Sequence, residues 1–287
     1  MTSHSVVEKI RTLYHIPKVG HFGTLDPMAE GVLLVGIGKA TKFFDFYIQK
    51  KKLYSGTIKF GCPTSTYDRE GTPLSEINDI DLNGIDLDSL LSEFTGEIQQ
   101  TPPVYSAKKH KGKPLYKYAR EKKPIDIKPV MVTVYSLKGK ILSPDTLWFE
   151  AQTSAGTYIR SLAHDMGQKL GVGAYLDTLK RLSIGEFDLT TAISSEQLSN
   201  RIQITDFSKL VIPIESLLPE FPKVIVTQTG KRGVINGVPL IPKEIIKIFP
   251  SINKTHFRIF DEEGKLLAIA RKDDKIRQFK PFIVFPD

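Results

Sequence analysis

Asp26 is the side chain whose surroundings most invite chemistry. It stands in HFGTLDPMAEGVL, residues 21–33, between Gly23 and Gly31 and directly before Pro27. A carboxylate on a glycine-flanked loop serves as a nucleophile or acid–base group when its neighbours shelter it from water. An Asp-Pro pair is also a good helix start, the carboxylate accepting backbone N–H groups while proline fills the first turn. On spacing alone that cap reading is the stronger. A second group is cationic: Lys108, Lys109, Lys111 and Lys113, with Tyr105, Tyr116 and Tyr118 interleaved. Lysines meet phosphates and tyrosine rings give bases a surface to stack on, although an isolated lysine run is more often a solvated face.

Other chemistries fail on their spacing. Gly36-Ile37-Gly38-Lys39 lacks the third glycine of a dinucleotide loop, and Ala40 stands where a triphosphate loop needs Ser or Thr. The six histidines form no close-spaced ligand pair, and the lone Cys62 supplies neither a disulfide nor a multi-cysteine metal site, so no metal is expected. Cys62 reads as a small packing residue in a reducing compartment. No G-x-S-x-G elbow is present, and no apolar run approaches the length of a bilayer span. These features together predict a soluble, cytoplasmic protein.

Charge is segregated. From Pro222 onward there are 13 basic and 7 acidic residues, a surplus of +6 out of the whole chain's +8. Asp68 to Glu97 holds nine acids and only Arg69, whereas Lys108 to Lys123 holds eight bases and only Glu121. One surface therefore repels polyanions while others attract them. Lys231, Arg232, Arg258, Arg271 and Lys272 join the first four lysines as candidate phosphate contacts.

The elements that must position these groups mix without regular alternation, which predicts an α+β fold. Ser5 can cap a first helix carrying Val6, Val7, Ile10 and Leu13, and a short strand is expected at Val32 to Val35. A helix follows from about Ala40 to Tyr47, then a strand at Leu53 to Phe60 with Tyr54, Ile58 and Phe60 on one side. Leu87, Leu90, Leu91 and Phe94 mark a surface helix. Val130 to Leu142 and Leu147 to Thr153 read as strands joined at Ser143-Pro144-Asp145, and Tyr158 to Leu170 reads as another helix. Pro219 and Pro222 mark a boundary between domains at 1–219 and 220–287. The second is read as a small basic β-barrel, with strands at Val224 to Val226, Phe257 to Phe260, Leu266 to Ala270 and Pro281 to Phe285. Gly230, Gly233, Gly237 and Gly264 are read as breaks between them.

The segment GTLDPMAEGVL resembles the catalytic-loop signature of the TruB-type tRNA pseudouridine synthases, and four further blocks agree in order. KKLYSGTIKFG (residues 51–61) is similar to the family strand bearing an active-site tyrosine, here Tyr54. TPPVYSAKKHKGKPLYKYAR (residues 101–120) matches the P-P-x-[YF]-S-A-x-K block. GTYIRSLAHDMG (residues 156–167) matches the block whose arginine stands beside the aspartate, here Arg160. GAYLDTLKRLSIGEF (residues 173–187) aligns with a segment whose leucine lines the pocket, here Leu179. The resemblance covers Thr2 to about Glu215, and more loosely the basic tail resembles a PUA-type RNA-binding domain. The family's opening K-P-x-G-x-[ST]-S strand and turn, which helps brace the loop, has no counterpart, the sequence starting at Met1-Thr2-Ser3.

The resemblance implies a mixed, mainly antiparallel sheet of the pseudouridine synthase type, surrounded by helices. It also implies an isomerase acting on the T-loop uridine conventionally numbered 55 of tRNA. That reaction breaks the N1 glycosidic bond, turns the base and rejoins C5 to the ribose, with no cofactor. The uridine must be flipped out of its stack. Asp26 is then the nucleophile, and the Arg160 guanidinium offsets the cost of sheltering its charge. Tyr54 stacks on the base and takes the C5 proton. His21 fills space in the RNA loop, and Gly23 belongs to the same substrate-binding loop. The tail reaches toward the acceptor stem, and the enzyme acts as a monomer. Competing readings are a non-catalytic tRNA-folding protein and a guide-RNA-dependent synthase subunit.

Overall fold

A computed structural model describes residues 1–106, 108–121, 125–199, 209–253, 255–273, 275 and 278–286. The chain divides into two compact units. The first comprises Met1–His15, Val19–Gly36 and Phe43–Ala192, and the second Ile16–Lys18, Ile37–Lys42 and Ile193–Asp287. The architecture is α+β.

The first unit is built on a seven-stranded sheet. Its order is Phe187–Asp188, Ala174–Ile184, Lys52–Phe60, Thr146–Thr153, Val130–Ser143 and Gly96–Gln100, all antiparallel, with Glu30–Gly31 added in parallel to Ala174–Ile184. The hairpin at residues 143–145 and the strands it joins follow the alternation in the sequence: Leu147, Phe149 and Ala151 point into the core with Ile58 and Phe60. The helix Ile159–Lys169 lays Ile159, Leu162, Ala163 and Met166 on the same core.

Several local expectations are corrected. Thr2, not Ser5, caps the first helix, Ser3–Leu13, its hydroxyl accepting from the Ser5 N–H at 3.1 Å. No strand forms over Val32 to Val35. Val32 instead donates its N–H to the Arg181 carbonyl at 2.9 Å, and the strand begins at Val35. The helix expected from Ala40 is a 3-10 turn over Gly38–Phe43 that becomes α-helical over Phe44–Ile48. Asp26 starts no helix: its carbonyl accepts from the Ala29 N–H at 3.0 Å in a turn, and its carboxylate is directed elsewhere.

The second unit carries a five-stranded sheet in the order Ile245–Phe249, Lys223–Val226, His256–Phe260, Leu266–Asp273 and Gln278–Val284. Only the Lys223–Val226 and His256–Phe260 pair is parallel. Gly230 and Gly233 do not break it. They lie in a helix, Gln228–Ile235, capped by the Thr227 hydroxyl. A side chain at Gly230 would come within 3.0 Å of Leu240 Cδ1 and 3.1 Å of Glu244 Cβ, so glycine serves close packing there rather than a turn. Among the described residues no helix is long and apolar enough to cross a membrane.

Candidate active site

The loop bearing Asp26 is tied down along its length. Phe22 is buried and stacks on Tyr47 with ring centroids 5.7 Å apart, and its N–H donates to the Leu34 carbonyl at 2.8 Å. Beside Asp26, the Leu25 N–H donates to the Ser3 hydroxyl at 2.9 Å. At the far end Gly31 has φ +105°, and a Cβ there would lie 2.2 Å from the Arg181 carbonyl oxygen, so glycine alone permits the pairing of loop and strand.

Arg160 reaches this loop from the second position of its helix. The helix has no side-chain cap of its own. Gln100, fully buried at the end of its strand, satisfies both backbone groups of Tyr158: its amide nitrogen donates to the Tyr158 carbonyl at 3.0 Å, and its amide oxygen accepts the Tyr158 N–H at 2.8 Å. Ser161 adds a bond to the Thr101 carbonyl at 2.8 Å. The helix start, and with it Arg160, is thereby anchored to the sheet.

The guanidinium grips Asp26 in a two-point fork, Nε to Oδ2 at 3.0 Å and Nη2 to Oδ1 at 2.8 Å. Such bidentate, charge-assisted pairs set orientation as well as adding energy. Arg160 also donates to the carbonyls of Thr66 at 3.1 Å and Tyr105 at 3.0 Å, and its Nη1 lies 3.6 Å from Asp68 Oδ2. The Arg160 and Asp68 side chains are 6% and 5% exposed, whereas that of Asp26 is 29% exposed. One cation therefore joins a buried carboxylate to a carboxylate that still faces solvent.

Tyr54 lies on the Lys52–Phe60 strand, opposite Arg181, and packs against the core cluster that includes Leu179. Burial pushes its hydroxyl above the ordinary phenol range, the Arg181 guanidinium pulls it back, and Asp26 adds to the rise. Tyr158 is likewise raised by burial and lies within the field of Arg160 and Asp26. His21 is half-buried at the head of the loop. Its Nδ1 is buried without a hydrogen-bond partner among the described residues, and burial, Arg181 and His4 lower its basicity. Gly23, at φ +123°, gives its carbonyl to Arg181 at 3.2 Å. Leu179 is buried opposite Gly56.

The structure brings Asp26 and Arg160 together, with Tyr54 in the electrostatic reach of Asp26, and does not gather the lysines with them. Lys108 is half-buried, Lys111 is exposed, and Lys113 pairs with Glu121 while sitting 4.8 Å over the Tyr118 ring. The Lys109 side chain, Ala107, Lys122 and Lys123 lie outside the described residues. In the tail, Lys231 pairs with Asp261 at 2.8 Å and Arg258 donates to the carbonyls of Phe221 and Leu217 at 3.1 and 3.2 Å, so both serve the fold. Arg232, Arg271 and Lys272 are exposed. Among the described residues no acidic, histidine or cysteine cluster could hold a metal.

Sequence reasoning missed Asp68, Gln100 and Arg181. Asp68 opened an acidic run read as surface, and Arg181, next to Lys180 in a strand of mixed polarity, carries no local sign of burial. For Gln100 and Arg181 the available signal was their position beside or inside the matching blocks.

A carboxylate–guanidinium centre on an antiparallel sheet of this topology defines the class. The chain superimposes with a TM-score of 0.72, over 100% of its length and 82% of the other, on the structure of an H/ACA RNP bound to a substrate RNA containing 2'-deoxyuridine, at 24% identity. Residues 11–159 match the TruB family pseudouridylate synthase N-terminal domain, and residues 160–219 the tRNA pseudouridylate synthase B C-terminal domain. The chain is 43% identical over 236 residues to tRNA pseudouridine synthase B of Solibacter usitatus, covering 82% of this chain and 80% of that one. It is 36% identical over 284 residues to the protein of the same name from Clostridium kluyveri, covering 99% and 96%. The chain belongs to the TruB family of pseudouridylate synthases.

Proposed function

We propose that the protein, acting in the cytoplasm, converts the T-loop uridine conventionally numbered 55 of tRNA to pseudouridine, as a monomer and without a cofactor. The observation that carries this reading is the forked Asp26–Arg160 pair, with the arginine buried and the carboxylate still open to solvent. A flipped uridine presents its C1′ to Asp26, which acts as nucleophile in exchanging the N1 bond for one to C5. Tyr54 packs against the base and its oxygen receives the C5 proton. Leu179 forms part of the pocket wall, while Gly23 and His21 meet the RNA loop. Lys108, Lys109 and Lys111 contact phosphates, with Arg232, Arg271 and Lys272 doing so from a PUA-like domain at 220–287 that reaches toward the acceptor stem.

The test is incubation of the purified chain alone with unmodified tRNA, scoring carbodiimide-reactive pseudouridine and tritium released from 5-tritiated uridine. Turnover without other proteins is expected, and its absence would favour a subunit that needs a guide RNA or a protein that only binds tRNA. Asp26→Asn should lower turnover by about a thousandfold or more while tRNA binding persists.

A further inference from the structure

Behind Tyr54 lies a second buried guanidinium that this reaction scheme does not yet use. Arg181 is 2% exposed and is one of the largest fully buried side chains. Its Nε donates to the Val32 carbonyl at 2.8 Å, its Nη2 to that of Gly23 at 3.2 Å and its Nη1 to that of Thr24 at 3.4 Å. Among the described residues no carboxylate forms an ion pair with it. A cation held only by neutral carbonyls keeps much of its field for whatever else faces it.

What faces it is Tyr54. The two residues are directly opposed on neighbouring antiparallel strands, which puts their side chains on one face of the sheet. The phenol lies within hydrogen-bonding influence of the guanidinium, with Asp26 as the opposing charge on the loop side. The field of Arg181 also reaches His21 and Lys52, whose basicity burial and that field both lower, and the Lys52 ammonium is bound to the carbonyls of Ile48 and Lys50. The phenol thus shares its sheet face with one buried cation and feels the opposing charge of Asp26.

We propose that Arg181 is the positioning residue for Tyr54, holding the phenol oxygen in place and supplying the positive charge that lets it accept the proton from C5. This rests on the reaction assigned under Proposed function. Once the C5–C1′ bond has formed, C5 carries both hydrogen and ribose, and the ring has a C6=N1 double bond. The Tyr54 oxygen, having given its own proton to solvent, takes the hydrogen of C5. The C5–H electron pair closes C5=C6, the C6=N1 pair withdraws to N1, and N1 is protonated from water. Tyr54 then returns the C5 hydrogen to solvent. The same guanidinium grips the loop carrying the nucleophile, so the two groups that act at different steps share one anchor.

The experiment compares single-turnover rates on tRNA bearing 5-protio or 5-deuterio uridine, across pH, for wild type, Arg181→Met and Arg181→Lys. Arg181→Met is expected to lower kcat about 100-fold with KM little changed, to unmask a primary isotope effect at C5, and to displace the rising limb of the rate profile to higher pH. Arg181→Lys should recover part of the rate. A merely loosened loop would slow every step and leave both the isotope effect and the pH limb where they were. That outcome overturns the proposal. Should Arg181→Met not fold, 3-fluorotyrosine placed at position 54 of the otherwise native enzyme provides an independent reading. Its more acidic phenol should move the limb to lower pH, and no movement overturns the proposal. An active wild type with silent variants defeats this inference alone, whereas a wild type that makes no pseudouridine defeats the assigned reaction first.

Discussion

Arg160 and Arg181 are both buried and both hold the loop that carries Asp26, yet they hold it by different chemistry. Arg160 binds the Asp26 carboxylate and lies near a second, Asp68, so its charge is more than matched by its neighbours. Arg181 binds three carbonyls and pairs with no carboxylate among the described residues. Arg160 therefore sets the direction and electrostatics of the Asp26 carboxylate, while Arg181 sets the path of the backbone beneath it. One loop is oriented twice, once through a side chain and once through its main chain.

The sharpest way to break this contrast is to remove the matched cation. Arg160→Met leaves the buried Asp68 and the partly exposed Asp26 without their shared counter-charge, and removing one partner of a buried pair is strongly destabilising. A loss of about 3 kcal/mol in urea unfolding is expected, with turnover lost as well. A stability change under 1 kcal/mol, of the order of a surface pair, would show that solvent already compensates both carboxylates.

Next comes the backbone side of the comparison. Gly31→Ala places a methyl within contact of the Arg181 carbonyl at a positive φ, and should cost about 2 kcal/mol, mainly by opening the short parallel pairing at Lys180 and Arg181. Hydrogen exchange at the Val32 amide would report it: the variant should lose protection there while the Ile58 amide keeps its own.

The smallest effect concerns a carboxylate that has no arginine. Asp165, on the same helix as Arg160, is half-buried with no ion-pair partner among the described residues, and burial pushes its pKa up to about 6. Because the unfolded chain ionises first, at about 4, the folded state loses stability as pH rises from about 4 through 6. Asp165→Asn should raise the melting temperature at pH 7 and flatten that decline. An unchanged slope would mean that the carboxylate is solvated in the folded state.

Much of this arrangement was legible beforehand because blocks of residues, rather than single ones, carried it. The 143–145 hairpin and its strands followed from alternation, and Asp26, Tyr54 and Arg160 from the order of five matching segments. What escaped did so for identifiable reasons. Asp68 sits at the head of an acidic stretch whose other members are mostly exposed, so composition hid one buried member. Gly230 and Gly233 look like turn residues, but the tight approach of Leu240 and Glu244 to Gly230 needs the absence of a side chain, not flexibility. The edge strand Ile245–Phe249 was overlooked because only Ile245 joins the core, which leaves no inward-outward alternation to read. On spacing alone Asp26 was ambiguous; the matching blocks named Arg160 as its partner, and the fold joins the two across 134 residues.

That separation bears on how the protein is made. Asp26 leaves the ribosome early, but the guanidinium that grips it follows 134 residues later and the strand that grips its loop later still. A nascent chain halted before residue 160 would carry the reactive carboxylate with nothing to aim it. The pair therefore closes only after the helix carrying Arg160 has been made, and the loop gains its second anchor only with the Ala174–Ile184 strand.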